Sequence, residues 1–246
     1  MKNRFVEITT DNVHLSLSRG FLKISKEGER LGQICIEDMS ALIVRGYGTS
    51  ISLNLCSRLA QNKIPTILCG SNQSPASIVW PIEGHFAQGH RMQAQAAAGK
   101  PLKKRLWQEL VKAKINAQAA VLESQNIDAS ALYQMAKRVK SGDKENIEAQ
   151  ASRRYWPLLM GETFRRCKTD NRELTDTIDA NAFLNYGYTI LRSAAARSIL
   201  AAGLHPSFSL HHESAGDAFR LADDLMEPFR PFVDLLALEC RRTKDL

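Results

Sequence analysis

The sequence predicts an α+β protein in which a small β-rich domain, residues 1–84, precedes a larger α-helical domain, residues 85–246. Two observations lead to this division. Before about residue 80, apolar residues form short runs, some of which alternate with polar residues as in a half-buried strand. From His90 onward, alanine, glutamine, leucine, lysine and arginine dominate, and these residues favour helix. Residues 71–84, rich in serine, proline and glycine, end the first domain, and after them the sequence changes to a helical pattern.

Short strands account for most of the first domain. Residues 20–36 predict two strands joined by a turn at Glu27 and Gly28. Residues 50–64 carry apolar groups at helical spacing, so we expect one helix to cover a face of the sheet. The remaining predicted strands lie at residues 13–18, 40–46 and 65–70.

Long helices are predicted in the second domain. Residues 180–206 form one of them, with Gly203 as its C-cap and Pro206 just beyond. Residues 102–125 form another, which is amphipathic. Its core-facing stripe is predicted to be Leu106, Leu110, Ala113, Ala117 and Ala120.

The segment SLHHESAGDAFRLADDLMEPFRP, residues 209–231, places two adjacent histidines before a further helix. Ser214, followed three residues later by Asp217, predicts a capping box at the helix start. Apolar residues then recur at helical spacing and predict a core stripe. Its members are Ala218, Ala222, Leu225, Phe229, Phe232 and Leu236.

Carboxylates beside these elements indicate a divalent-metal site. Asp224 and Glu227 share one helix face, where their like charges cost a few tenths of a kcal/mol unless a cation lies between them. Pro228 is expected to bend the helix at this level. Glu148, in an earlier predicted helix, offers a further carboxylate close to paired arginines. Oxygen ligands with one imidazole favour Mg²⁺ or Mn²⁺ over zinc. The alternative is that all of these are solvated surface groups.

Charge indicates the class of partner. The net charge is +7, and basic clusters lie at residues 99–115, 152–156, 164–168 and 240–244. One such cluster is typical of a solvated helix face, but four of them favour a polyanion partner. A membrane surface is the weaker interpretation, because the basic stretches are not paired with an exposed apolar face.

Location is predicted from what the sequence lacks. No apolar run approaches the ~20 residues that span a bilayer, and the first residues contain no apolar signal region. The five cysteines are scattered and form no C-x-x-C pair, which argues for reduced thiols. We therefore expect a cytoplasmic protein.

Three segments resemble the CRISPR-associated integrases of spacer acquisition, the "Cas one" family. They are NIEAQASRRYW (146–156), NAFLNYGYTILRSAAARSILAAGLHPSFSLHH (181–212) and LADDLMEPFRPFVD (221–234). The segments occur in the family's order, and with the β-then-α layout the resemblance covers most of the chain. The segments LADDLMEPFRP and LNYGYTILRS are most similar to the form of the family associated with type II systems.

The resemblance implies a catalytic metal triad of Glu148, His212 and Glu227, which would bind Mg²⁺ or Mn²⁺. His212 is the second histidine of the pair, and His211 is its nearest competitor. Asp224 matches another acidic position of the motif, either as an additional ligand or as a group beside the ligands.

The same resemblance implies a homodimer whose N-terminal β-rich domains pair. Two such dimers, bridged by a dimer of the small "Cas two" protein, would take up a short DNA duplex. Its 3′-hydroxyl would attack a phosphodiester of the CRISPR repeat, and with water as nucleophile the site would be a DNA endonuclease. Other type II adaptation proteins are further expected partners. Members of the family continue past the FRPFVD helix, so we expect either a truncated C-terminal domain or a short homologue.

Phosphate contacts are expected from basic side chains, which position DNA without reading its bases. The candidates are the helix from Lys100 to Lys114, including Lys103 and Lys104, together with Arg153, Arg154, Arg165 and Arg166. Tyr155 is a candidate for stacking on an unpaired DNA end, with a buried core tyrosine as the open alternative. A non-catalytic DNA-binding assembly protein of the same fold is the alternative function.

Overall fold

The chain forms two compact units. The computed structural model describes residues 4–70, 75–79, 87–167, 180–214 and 217–242. One unit comprises Met1–Gly89 with Leu200–Leu204, and the other His90–Ile199 with His205–Leu246. The first is β-rich and the second helical, so the predicted α+β class is confirmed. The predicted domain boundary after residue 84 stays a prediction.

Two four-stranded sheets make up the described part of the β-rich unit. The strands are β1 (Arg4–Ile8), β2 (His14–Ser18), β3 (Phe21–Lys26), β4 (Glu29–Cys35), β5 (Met39–Val44), β6 (Ser50–Ile51), β7 (Thr66–Cys69) and β8 (Pro75–Val79), and helix α1 (Leu53–Gln61) precedes β7. One sheet has the order β1-β5-β7-β8 and the other β4-β3-β2-β6. In the first, β5 pairs in parallel with both of its neighbours, and β8 is antiparallel to β7.

Local sequence explains these strands well. Glu27 and Gly28 both have positive φ, 52° and 89°, as a two-residue hairpin turn requires, and β3 and β4 pair antiparallel on either side. The predicted turn is therefore confirmed. Strand β5 is buried along its whole length, as its continuous apolar run MSALIV predicts.

Strand β8 lies within the segment rich in serine, proline and glycine that ends the predicted β-rich domain. It pairs with β7 at the edge of the first sheet. Proline is tolerated at the first residue of an edge strand because no ladder partner needs its missing N–H. The serine and proline content of the segment is therefore compatible with this short strand.

The helices of the second half follow in order along the chain. They are α2 (Gln88–Ala96), α3 (Lys100–Ser124), α4 (Ser130–Arg138), α5 (Ile147–Met160), α6 (Ala180–Ala201), α7 (Arg220–Met226) and α8 (Arg230–Arg242). Gly203 has φ 71° and its amide donates to the carbonyl of Leu200 at 2.7 Å, so it ends α6 as predicted. No helix within the described ranges is long and apolar enough to cross a membrane.

The core stripe predicted for α3 is displaced by one position. Leu106 is 44% exposed, and Ala113 and Ala120 are exposed as well. The buried residues of the helix are Trp107, Val111, Lys114, Ile115, Gln118, Ala119, Val121 and Leu122. Lys114 and Gln118 interrupt this buried face. Because they are polar, the apolar pattern in the sequence indicated the adjacent face of the helix.

The core stripe predicted for residues 218–236 is also largely wrong, since Ala222 is buried but Ala218 is exposed. Phe229, Phe232 and Leu236 are 55%, 57% and 59% exposed. The buried side of the same segment instead carries three acidic residues, Asp224, Glu227 and Asp234. Each of these carboxylates has cationic or hydrogen-bonding partners, which offset the free-energy cost of its burial.

The predicted capping box does not start the helix here. Helix α7 begins at Arg220, and no side chain caps it. Asp217 instead accepts a hydrogen bond from the amide of Phe219 at 2.8 Å and pairs with Arg192. At Pro228 the helix is interrupted by a 3-10 turn, Glu227–Phe229, where the sequence predicts a bend.

Candidate metal centre

Two of the predicted ligands meet at one buried cation. Lys114, on the buried face of α3, places its Nζ 2.5 Å from Oε1 of Glu148 and 2.6 Å from Oε2 of Glu227. Glu148 lies in the first turn of α5, and Glu227 lies in the 3-10 turn between α7 and α8. Carboxylates far apart in sequence therefore face the same small volume.

Each of these carboxylates is held by its own element. The carboxylate of Asp143 accepts hydrogen bonds from the amides of Ile147 and Glu148 at 2.9 and 3.0 Å, so it caps the start of α5. Glu227 is 5% exposed, and its Oε1 lies 2.9 Å from Nε of Arg230. Glu227 thus stands between two cations, Lys114 and Arg230.

His212 is oriented by a fully buried aspartate. Asp224 is 0% exposed, and its Oδ1 lies 2.7 Å from Nδ1 of the His212 ring. The same carboxylate accepts hydrogen bonds from the backbone amides of Leu210, His211 and His212 at 2.6, 3.2 and 3.2 Å. A carboxylate on one ring nitrogen fixes the ring and leaves the other nitrogen to serve as a metal ligand.

The two histidines of the pair have different surroundings. The ring of His211 stacks on Trp107 of α3 with ring centres 4.3 Å apart and planes 6° apart. The ring of His212 meets Trp107 edge-on at 5.9 Å and is the one bonded to Asp224. These contacts favour His212 over His211 as the ligand, and that choice stays a prediction.

Two pKa values are raised in this region. The hydrogen bond to Asp224 raises the pKa of His212 above its usual value, although partial burial opposes it. Burial by itself would lower the pKa of Lys114, but the charges of Glu227 and Glu148 more than reverse that effect and raise it. Lys114 is therefore a charged ammonium in a nearly dry setting.

The donor set fits a divalent cation in its chemistry. Two carboxylates and one imidazole suit Mg²⁺ or Mn²⁺, and the space between the carboxylates already holds a positive group. Within the part of the chain that the structure describes, no three histidine, cysteine or acidic side chains stand together as a ready ligand cluster. The ammonium of Lys114 instead contacts the carboxylate oxygens that an ion would bind.

A second buried network adjoins the site and was missed by sequence reasoning. Asp234 is 1% exposed and accepts hydrogen bonds from the hydroxyls of Tyr188 and Tyr155. The guanidinium of Arg230 lies 4.6 Å from the ring centre of Tyr188, which links this network to Glu227. Tyr155 is 0% exposed, so its ring is not placed to stack on DNA, and the predicted stacking role is corrected to a core role.

The predicted DNA contacts are mostly accessible. Arg153 and Arg154 are exposed on α5 and, with Arg138 of α4, line a groove of about 600 Å³. Lys104 and Arg165 are exposed, and Lys103 and Arg166 are half-buried. Arg166 is also engaged within the protein, since its guanidinium donates to the side-chain oxygens of Asn181 and Asn185. Lys114 is an exception among the predicted phosphate contacts, because it is buried between Glu148 and Glu227.

Comparison with known proteins decides the family. The model of the family described as "CRISPR associated protein Cas1" matches residues 6–246. The chain belongs to the Cas1 family. A relative from Neisseria meningitidis serogroup C named "CRISPR-associated endonuclease Cas1" is 37% identical over 226 residues, which span 91% of this chain and 71% of that protein. The predicted family, enzyme class and function are thereby confirmed: this Cas1 chain is a CRISPR-associated endonuclease and integrase of spacer acquisition.

Solved structures confirm the fold. A Cas1 protein from Thermotoga maritima superimposes with a TM-score of 0.80 at 19% identity, over 99% of this chain and 80% of that one. A chain in a structure described as a "Cas6-RT-Cas1--Cas2 complex" superimposes with a TM-score of 0.74 at 20% identity, over 100% of this chain and 28% of that one. At such identities the likeness establishes the shared Cas1 fold.

Proposed function

We propose that this Cas1 chain uses a divalent cation, Mg²⁺ or Mn²⁺, held by Glu148, His212 and Glu227, to cut and join DNA phosphodiesters. One observation carries the proposal: two carboxylates from separate elements converge on a single cation, Lys114. His212 adds the imidazole that the donor set needs, and its Nδ1 is already bonded to Asp224.

Each residue has a distinct task in this mechanism. Glu148, His212 and Glu227 would hold the cation, which would supply Lewis-acid polarisation of a phosphodiester oxygen and charge stabilisation at the incoming or leaving oxygen. Glu148 and Glu227 supply the negative charge that retains the cation. Asp224, whose oxygens are taken up by His212 and three backbone amides, orients the imidazole and is not itself a ligand.

The reaction is a phosphoryl transfer. The 3′-oxygen of a short DNA duplex forms a bond to a phosphorus atom of the CRISPR repeat, and the bond from that phosphorus to its previous 3′-oxygen breaks. When water replaces the 3′-hydroxyl, the products are those of an endonuclease. The protein contributes positioning and charge, because phosphoryl transfer needs little further covalent chemistry from it.

We further propose how the chain assembles and where it acts. Its β-rich domain, residues 1–84, pairs in a homodimer, and two dimers join a Cas2 dimer on double-stranded DNA. A Cas1–Cas2 assembly of a structural neighbour supports this arrangement. The motif LADDLMEPFRP supports a type II-like form, which would add other type II adaptation proteins as partners. The scattered cysteines, without a C-x-x-C pair, support a cytoplasmic location.

Three substitutions test the metal triad: Glu148→Gln, His212→Asn and Glu227→Gln. We expect each to lower strand transfer by more than about 100-fold while DNA retention stays within a few-fold of wild type, because phosphate contacts lie elsewhere. Glu213→Ala is the matched control, since Glu213 is an exposed carboxylate beside His212. Thermal denaturation of each variant establishes that it is folded.

Wild-type activity in all three folded variants would overturn the catalytic proposal. The protein would then be a DNA-binding assembly protein with the Cas1 fold. If Glu213→Ala also lost activity, the assay would be reporting a general disturbance of the loop and not the loss of metal ligands.

A further inference from the structure

Lys114 is an unusual residue for the buried side of a helix. It is 8% exposed and lies on the same face of α3 as Val111, Ile115 and Gln118. Lysine is almost never buried to this degree unless its charge is paired. Its pairing with both Glu148 and Glu227 therefore accounts for its position.

The place between the two carboxylates already holds resident cations. Lys114 contacts Glu148 and Glu227, and Arg230 contacts Glu227. Asp234 adds a further negative charge that acts on both cations. A divalent cation that enters between Glu148 and Glu227 would stand directly beside the ammonium of Lys114, and like charges repel strongly where little water separates them.

Distance decides which cation leaves. Mg²⁺ binds carboxylate oxygens at about 2.0–2.1 Å, and Nζ of Lys114 lies 2.5 and 2.6 Å from one oxygen of each carboxylate. An ion that binds both Glu148 and Glu227 would compete for the oxygens that Lys114 contacts. Arg230 contacts only the other oxygen of Glu227, so it can remain.

We propose that Lys114 is an internal cation which holds Glu148 and Glu227 together in the metal-free protein and is displaced when the divalent cation binds. This inference rests on the proposed metal triad. Lys114 acts as a positioning residue, because it keeps two mutually repelling carboxylates in place before the ion arrives. It also sets the metal affinity, since the ion must replace two buried ion contacts.

Lys114→Met tests the inference, because methionine preserves the length and apolar stem of the side chain without the charge. Lys112→Met is the matched control on the same helix, where Lys112 pairs with Glu109 at 3.1 Å near the surface. The Kd for Mn²⁺ alone, without DNA, is measured by calorimetry. We expect Lys114→Met to lower that Kd by about tenfold or more, because no ammonium has to leave the site.

The melting temperature supplies a second readout. Without metal, we expect the Tm of Lys114→Met to fall by about 6 °C or more, because Glu148 and the buried Glu227 lose the ammonium that lies between them. Saturating Mn²⁺ should restore most of this decrease, and it should raise the Tm of the variant more than that of wild type or Lys112→Met. An unchanged or weaker affinity for Mn²⁺ in the folded variant would overturn the inference.

Wild-type protein provides a measurement that does not depend on a variant folding. NMR of the lysine side-chain ammonium groups reports the Lys114 signal, assigned by its disappearance in Lys114→Arg. We expect this signal to shift saturably as Mg²⁺ is added, while that of Lys112 stays constant. A Lys114 signal that does not change at saturating Mg²⁺ would contradict displacement.

Failure of the metal site is distinguishable from failure of the Lys114 role. Mn²⁺ binding that Glu227→Gln leaves unchanged would refute the triad, and with it this inference. If Glu227→Gln abolishes Mn²⁺ binding but Lys114→Met leaves the Kd unchanged, the triad stands and only the role of Lys114 is refuted.

Discussion

Asp224 shows how one buried carboxylate can build a site without touching a substrate. It holds the loop at residues 210–212 through three amides and fixes the ring of His212. The position of the imidazole thus depends on a residue whose side chain has no exposed surface. This role follows from the contacts of Asp224 and not from its motif position.

Asp224→Asn should weaken the site through His212. We expect Mn²⁺ affinity to fall by about 10–100-fold, as is typical when the hydrogen-bond partner of a metal-bound histidine is removed. The pKa of His212, followed by NMR without metal, should fall toward its usual value, because the hydrogen bond to a negative partner is what raises it. A weakened site with an unchanged His212 pKa would mean that Asp224 acts in another way, for example as a ligand.

Asp234 gives the protein a specific pH dependence. Burial raises its pKa from 3.8 to about 6 in the folded chain. A carboxyl with a raised pKa contributes stability that is fully present below its unfolded value and is lost as the pH rises through the folded value. The relevant window is therefore from about pH 4 to pH 6.

Asp234→Asn removes this titration. We expect the free energy of unfolding of the variant, relative to wild type, to increase as the pH rises from about 4 through about 6, and to become constant only above the folded pKa. Urea denaturation at several pH values measures this difference in free energy. The test is how the difference changes with pH, because altered hydrogen bonds to Tyr155 and Tyr188 would shift it equally at every pH. Parallel pH profiles would show that Asp234 does not titrate in this range.

The resemblance to the Cas1 family implied the groups that face the proposed ion, Glu148, His212 and Glu227. The structure brings the two carboxylates together at Lys114, and the ring of His212 contacts Asp224 and Trp107. Lys114 was predicted only as a phosphate contact, and Asp234 was not singled out. Both are buried charges whose partners lie far away along the chain, so a linear pattern cannot show that they are paired.

At the scale of elements, the two long helices α3 and α6 were predicted, but the buried face of α3 was not. In α3 and α8 the apolar pattern indicated the wrong face, because charged and polar side chains occupy the true one. A prediction from hydrophobic periodicity places charged residues on the solvent-exposed face. It fails where charged side chains form a polar site inside the core. The first domain has no such site among the elements predicted, and its turn and central strand were predicted well.

Helix α6 packs against α8 through a glycine. A Cβ atom on Gly187 would lie 2.4 Å from Cγ1 of Val233, closer than carbon atoms can approach. Gly187→Ala should therefore destabilise the protein by about 1–3 kcal/mol. The sign is informative, because alanine otherwise stabilises a helix interior relative to glycine by about 1 kcal/mol.

Gly89→Ala in α2 is the control for this substitution. A Cβ atom at Gly89 would meet no other atom within 4 Å. The midpoints of chemical denaturation of the two variants should move in opposite directions, or only that of Gly187→Ala should fall. A stabilised Gly187→Ala protein would mean that Val233 rearranges without cost.

For the whole molecule, the charge surplus predicts salt-dependent DNA binding. Removing Arg153 and Arg154 together by alanine substitution should reduce the slope of log K against log salt by about two, roughly one for each phosphate that is no longer neutralised. Arg30→Ala with Arg58→Ala removes the same charge from the β-rich unit and should leave the slope nearly unchanged. Fluorescence anisotropy of duplex DNA at several salt concentrations measures both, and equal slopes in the two proteins would exclude the α4–α5 groove as a contact surface.

The sequence separation of the two carboxylates has a consequence during synthesis. Glu148 leaves the ribosome well before Glu227, and until the later segment folds onto α3 the earlier carboxylate has no second carboxylate with which to hold an ion. On the proposed mechanism, a nascent or half-folded chain therefore lacks a complete ion site, and we expect nuclease activity only after the helical unit has folded.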